Sequence, residues 1–208
     1  MWQRYVIIVL AYGLGSLSFS YWIVRWLKGI DVRTVGSGNA GATNVLRAAG
    51  KGPAILTLLL DVAKGGLAVW VARFADLDSA WIGLAATAVV CGHVFPVFSG
   101  FRGGKGVATA IGALLVVSPV TGGAMLVVFV SVVGLTRYVS LGSILAALFF
   151  PVAYVGALRL GWLDVPGSEW LVIHSAVIAL LIVIKHRSNI ARLWQGRENK
   201  LGTESPAR

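Results

Sequence analysis

The chain has 208 residues, of which 57% are hydrophobic and 12% charged, and carries a formal net charge of +10. An average soluble domain is about half apolar and about one quarter charged, so a water-soluble enzyme, a nucleic-acid module and a disordered tail are all excluded. The chain reads instead as an all-α integral membrane protein, one domain over 1–208. Its basic residues sit in short gaps between apolar runs, as in cytoplasmic membrane loops, so the charge calls for no nucleic-acid partner. The one cysteine, Cys91, lies inside an apolar run, and no disulfide framework is available.

A span needs about 20 apolar residues. In chain order, residues 3–24, 53–72, 79–98, 107–136, 139–160 and 169–185 qualify. The first run follows Arg4 without an A-x-A cleavage signal and is predicted to be a retained helix. Pro53 suits a first helical turn. The stretch 107–136 is interrupted by Ser118-Pro119 and Gly122-Gly123, and loop charge decides how often it crosses. Two crossings give seven helices with the N-terminus outside and the C-terminus cytoplasmic. Fourteen Lys and Arg then fall inside, against Arg4, Arg73 and Arg159 outside. One crossing would put the basic tail opposite the basic 25–51 loop. The short helix 107–118 is the least regular element expected.

This arrangement gathers segments 28–52, 92–109 and 185–202 on one membrane face. Polar material concentrated on one face marks chemistry there, since turns on the other side only close the bundle. In the first segment, V-G-S-G-N-A-G-A-T-N-V-L-R over 35–47, Gly36, Gly38 and Gly41 let backbone N–H groups approach an anion. Ser37, Asn39, Thr43 and Asn44 add donors, Thr43 or Asn44 could cap a short helix, and Arg47 could bind phosphate through its fork. A flexible loop with a basic residue is the plainer alternative.

The second segment runs G-H-V-F-P over 92–96 and S-G-F-R-G-G-K-G-V-A-T over 99–109. It fails the Walker A pattern, because Gly106 follows Lys105 and Ser99 stands where the first glycine belongs. Arg102, Gly103, Gly104, Lys105 and Gly106 could still form a metal-free phosphate nest, or only a glycine-rich bend. His93, on an apolar helix, reads as structural, as does His174. In the third segment His186, Asn189 and Leu193 share helical spacing, and His186 is expected to donate to a phosphate or carbonyl oxygen. The alternative is a juxtamembrane helix whose cations meet anionic headgroups. Asp61 and Lys64, one turn apart inside the second span, are expected to pair, either as a structural brace for the bundle or as part of a functional site. No H-x-x-x-x-D pair, G-x-S-x-G elbow or carboxylate cluster for a metal is present, so neither a metal site nor a cofactor is expected.

At these segments the sequence resembles the bacterial acyl-phosphate:glycerol-3-phosphate acyltransferases, the PlsY family. The likeness rests on GSGNAGATNVLR, GHVFPVFSGFRGGKGVAT and KHRSNIARLWQGRENKLG, with DVAKGG at 61–66, and covers nearly the whole chain. It implies transfer of a fatty acyl group from acyl-phosphate to the 1-hydroxyl of glycerol 3-phosphate, giving lysophosphatidic acid and phosphate in phospholipid biosynthesis. It also implies a place in the bacterial cytoplasmic (inner) membrane, among membrane lipid, with a soluble phosphate acyltransferase as the source of the donor. By the same likeness Ser37 and Arg47 are an essential pair, the second motif with Lys105 binds the glycerol 3-phosphate phosphate, His186 and Asn189 serve catalysis, and Glu198 is structural. The rival class is a transporter or channel for a phosphorylated metabolite. A pore should carry polar groups through the full membrane depth, whereas the outer half of this bundle is almost wholly apolar and shows no convincing repeat.

Overall fold

The computed structural model describes residues 2–202, and every regular element among them is helical. Ten helices follow one another: α1 (Gln3–Gly15), α2 (Phe19–Lys28), α3 (Ala42–Ala49), α4 (Lys51–Phe74), α5 (Ser79–Val94), α6 (Val107–Val117), α7 (Pro119–Thr136), α8 (Val139–Arg159), α9 (Ser168–Lys185) and α10 (Arg187–Trp194). Single 3₁₀ turns lie at Val32–Thr34 and Val97–Ser99. Six stretches are long and apolar enough to cross a membrane: Gln3–Lys28, α4, Ser79–Ser99, α7, α8 and α9. The apolar α6 has 11 residues and falls short of that length.

The divided stretch 107–136 breaks at the first of its two expected interruptions. Ser118 ends α6 and opens α7, its hydroxyl accepting from the Thr121 N–H at 3.4 Å, with Pro119 at the first helical position. Gly122-Gly123 does not interrupt α7. Gly122 is instead a packing residue, since a Cβ there would press on the Leu115 backbone.

The expected single helix over 3–24 is corrected. It stops at Gly15 and resumes at Phe19, leaving Ser16, Leu17 and Ser18 between α1 and α2. Close neighbours flank the break. A Cβ on Gly15 would overlap the Val89 carbonyl, and one on Gly92 the Tyr12 carbonyl, so α1 and α5 touch backbone to backbone just before the break. The Ser16 hydroxyl donates to the Tyr12 carbonyl at 2.9 Å, and the Leu17 carbonyl, released from any helix, accepts from Lys64 Nζ at 2.8 Å. The predicted ion pair forms as well, with Lys64 Nζ 2.8 Å from Asp61 Oδ1.

Close approach of small residues recurs between α4 and α6, where Gly65 faces the Thr109 carbonyl and Gly112 faces the Val62 carbonyl. Asp78 caps α5 by accepting from Ala80 and Trp81 N–H at 3.0 and 3.2 Å. Beyond α10 the chain folds back toward the α7–α8 junction. There the Leu201 N–H donates to the Arg137 carbonyl at 2.7 Å, and the Arg137 guanidinium donates to the Leu201 carbonyl at 2.8 Å.

Candidate active site

The three polar segments meet around one cavity of about 500 Å³. From the first segment its wall takes Ser37, Asn39, Gly41, Thr43, Asn44 and Arg47; from the second, Lys105 and Gly106; from the third, His186, Asn189, Arg192 and Glu198. Apolar groups complete it: Ile55 and Leu58 of α4, Ile111 of α6, and Phe129 and Val133 of α7.

Local chemistry shapes the first segment. The Asn44 side chain is buried and faces its own loop: Oδ1 accepts from the Ser37 N–H at 2.9 Å, while Nδ2 donates to the Val32 and Val35 carbonyls at 2.7 and 3.0 Å. Its amide therefore holds the loop that presents Ser37. Neither Asn44 nor Thr43 caps α3, which corrects that expectation; Gly41 is the N-cap and makes no side-chain bond. The start of α3, with its unsatisfied N–H groups, is nonetheless part of the wall through Gly41 and Ala42. Gly36 and Gly38 lie outside the wall and serve turns with φ of 58° and 70°. At Gly36 a side chain would strike the Asn44 amide.

The second segment is corrected more sharply. Arg102, Gly103 and Gly104 do not reach the cavity. Arg102 is exposed, and the two glycines admit the loop against the end of α5, where a Cβ on Gly103 would overlap the His93 carbonyl and one on Gly104 the His93 ring. Arg33, unflagged in the sequence, fastens this loop to the first. Its guanidinium pairs with Asp31 at 2.7 Å and donates to the Ser99 carbonyl at 2.7 Å. Hydrogen bonding to Arg33 holds the Asp31 carboxyl below its usual range.

The third segment forms a relay of bonds. Lys105 Nζ donates to Asn189 Oδ1, and Asn189 Nδ2 donates to Glu198 Oε1 at 2.6 Å. Glu198 also accepts from the Ser140 hydroxyl at 3.0 Å and from Arg192 Nε at 2.7 Å. Glu198 thus ties the chain after α10 to α8, to α10 and, through Asn189, to Lys105. Burial above all lowers the Lys105 ammonium to about 8; Glu198 opposes this, and Arg192, Arg47 and Lys185 add to it. His186 sits between α9 and α10 with Nδ1 2.8 Å from the Ile182 carbonyl. Burial, then nearby Lys105, lowers its pKa to about 4, so the ring is neutral near pH 7. A carbonyl only accepts, so Nδ1 carries the proton and Nε2 is an acceptor. The ring's one N–H is thus spent on the Ile182 carbonyl, and the nitrogen left for the cavity is an acceptor.

Two further wall residues come from outside the three motifs' expected donors: His93, read from sequence as structural, and Asp61, whose role the sequence left open. Asp61 and His93 both line the cavity, with His93 Nδ1 3.5 Å from Asp61 Oδ1. The signal available for them was an ionisable pair at membrane depth one span away from a histidine, which alone names no site.

The chain matches a family model described as glycerol-3-phosphate acyltransferase over residues 5–196. The chain belongs to that family. A glycerol-3-phosphate acyltransferase of Ralstonia pickettii is 44% identical over 201 residues, covering 95% of this chain and 93% of the relative. One of a Synechococcus species is 45% identical over 198 residues, covering 95% and 94%. Among solved structures, PlsY (YgiH), an integral membrane glycerol 3-phosphate acyltransferase, matches in its glycerol 3-phosphate form. The TM-score is 0.87 and the identity 40%, over 97% of this chain and 96% of that one. Its lysophosphatidic acid form matches with a TM-score of 0.83 and 39% identity. The chain is therefore a multi-pass membrane acyltransferase of glycerol 3-phosphate, and nothing in these likenesses supports the transporter reading.

Proposed function

We propose that the donor is an acyl-phosphate and that the reaction is esterification of the 1-hydroxyl of glycerol 3-phosphate in the cavity between the three segments. The observation that carries this is the cavity's mixed lining: Arg47, Lys105 and the start of α3 together with Ile55, Leu58, Ile111, Phe129 and Val133. An acyl-phosphate needs both kinds of group, for a dianionic head and an apolar tail. Lys105, with Gly106, holds the phosphate of glycerol 3-phosphate, and Ser37, Arg47 and the first N–H groups of α3 hold that of the donor. Asn189 sets Lys105. His186 Nε2 accepts a hydrogen bond from the 1-hydroxyl and aims its oxygen at the acyl carbon.

The hydroxyl oxygen then attacks the acyl carbonyl, the acyl carbon–oxygen bond to phosphate breaks, and phosphate departs. The proton goes with it. The departing phosphate is at least as basic as a phosphate monoester, whose pKa is about 6, while His186 is lowered to about 4. The phosphate is the stronger base, so His186 positions the hydroxyl and the departing phosphate takes the proton.

Purified protein in detergent with EDTA is expected to form lysophosphatidic acid from glycerol 3-phosphate and acyl-phosphate. Acyl-CoA or acyl carrier protein thioester should give less than a hundredth of that rate, since the described residues present neither an adenine-binding feature nor a docking surface for a carrier protein. Comparable turnover with either thioester would falsify the donor assignment.

The same proposal places the site on the cytoplasmic face of the bacterial inner membrane, with α6 as a seventh, buried crossing, the N-terminus outside and the C-terminus inside. The charge asymmetry of the loops supports it. In a Cys91-free background, cysteines at 77 and 165 should react with an impermeant thiol reagent added outside, and those at 34, 103 and 200 should not. Labelling at 200 from outside sinks the orientation.

A further inference from the structure

The Asp61–Lys64 pair and His93 remain without a part in the reaction just derived. All three are nearly inaccessible, at 2%, 3% and 7% exposed. Ionised groups at membrane depth are expensive and call for an account. Their contacts run in one direction. The Leu17 carbonyl, freed by the break between α1 and α2, accepts from Lys64 Nζ at 2.8 Å. Lys64 Nζ lies 2.8 Å from Asp61 Oδ1, and the same oxygen lies 3.5 Å from His93 Nδ1. On its far edge the His93 ring meets Gly104, near enough that a Cβ would overlap Nε2, while the Ala40 carbonyl closes on that position from the first segment. The backbone of His93 acts on the same loop, its carbonyl accepting from the Gly104 N–H at 3.2 Å. The next residue is Lys105.

We infer that His93, oriented by the Asp61–Lys64 pair, is the positioning residue for Lys105: its ring is the floor on which Gly104 rests, and it sets where the Lys105 ammonium meets glycerol 3-phosphate. The inference rests on the assignment of Lys105 to that phosphate. It gives the glycine pair a purpose other than anion contact, because only a loop without side chains can lie directly on the ring. It also explains why a histidine is needed. The ring turns its Nδ1 edge to Asp61, 3.5 Å away, and its opposite edge to the loop, which an aliphatic residue of similar size cannot do together.

A brace alone would change folding and not substrate affinity, so the test reads KM separately from stability. His93→Leu is expected to raise the KM for glycerol 3-phosphate at least tenfold and leave the KM for acyl-phosphate within twofold. His93→Gln keeps a planar amide under Gly104 and an N–H for Asp61, and should bring the KM back to within threefold of wild type. Replacing both charges, Asp61→Leu with Lys64→Met, leaves no lone buried ion and is expected to fold, yet to raise the same KM because the ring is no longer oriented. A folded double variant with wild-type KM overturns the inference. So does a His93→Leu protein whose only defect is a lower unfolding temperature. Lys105→Met, assayed alongside, should raise that KM too. If it does not, the phosphate assignment falls and the inference with it, whereas a Lys105 effect without a His93 effect overturns the role of His93 alone.

Discussion

Lys105→Met is expected to lower kcat/KM for glycerol 3-phosphate by about 10²- to 10³-fold. A hydrogen bond to a charged group contributes about 1.5 to 3 kcal/mol, and on the proposed assignment removing this ammonium also takes a cation from the substrate's phosphate. At about 1.4 kcal/mol per decade the single bond accounts for one to two orders of magnitude; the lost charge adds the rest. Lys105→Arg should recover only part of this, because a guanidinium fork does not replace a point donor seated on Asn189. The wild-type pH profile reports the same group. With Lys105 at about 8 in the free protein, the cation is present below that pH, and kcat/KM should fall as pH rises through it, tenfold per unit at the limit. Glu198, Arg192, Arg47 and Lys185 all bear on this value, and neutralising Glu198 should move the limb lower. On the acid side, a limb near 6 would belong to substrate phosphate and should persist in His186→Gln. A profile flat from 7 to 9.5 would refute the role of Lys105.

Gly65→Ala and Gly112→Ala are each expected to lower stability by about 1 to 3 kcal/mol, the usual range for overpacking. That corresponds to roughly 3 to 10 °C in unfolding midpoint for a chain of this size. Each new methyl would enter the space of a backbone carbonyl on the facing helix, of Thr109 and Val62 respectively, and a carbonyl cannot rotate away as a side-chain tip can. Since α6 begins directly after Lys105 and Gly106, separating it from α4 also displaces the site, so activity should fall with stability. Gly123→Ala is the control, because no atom lies within 4 Å of that Cβ. Thermal unfolding in detergent decides it: equal midpoints for Gly65→Ala and Gly123→Ala would show that α4 and α6 have room to part.

The features carried by local sequence were readable in advance. Runs of apolar residues announced the spans, and Ser118-Pro119 marked the division of α6 from α7 because capping and φ restriction act within a few residues. The meeting of the three segments followed from loop charge alone. What escaped was the direction each polar group takes. Asn44 and Ser37 sit seven positions apart in a stretch rich in donors, and composition does not say that Asn44 turns back on its own loop while Ser37 reaches the wall. Gly103-Gly104 has the composition of an anion nest, but its partner is a histidine ten residues upstream on another element. The break after Gly15 was hidden for a similar reason: the run is uniformly apolar, and the ion that receives the freed carbonyl lies 47 residues away. His186 was read without Ile182, whose carbonyl fixes the tautomer.

The brevity of α6 has a consequence for where the reaction takes place. Eleven residues rise only about 16 Å, roughly half the thickness of a hydrocarbon layer of about 30 Å. Lys105 and Gly106 stand at the end of this short column, and α6 packs on α4 at Gly65, well inside that longer helix, so the floor of the cavity is sunk below the level at which α4 begins. On the proposed reading this depth serves both substrates. A lipid-borne donor would keep its tail in the bilayer and enter sideways, while the water-soluble acceptor would descend from above. Two substrates that share no solvent would thereby meet at one depth, and the product, apolar at one end and phosphorylated at the other, would form already placed as a membrane lipid.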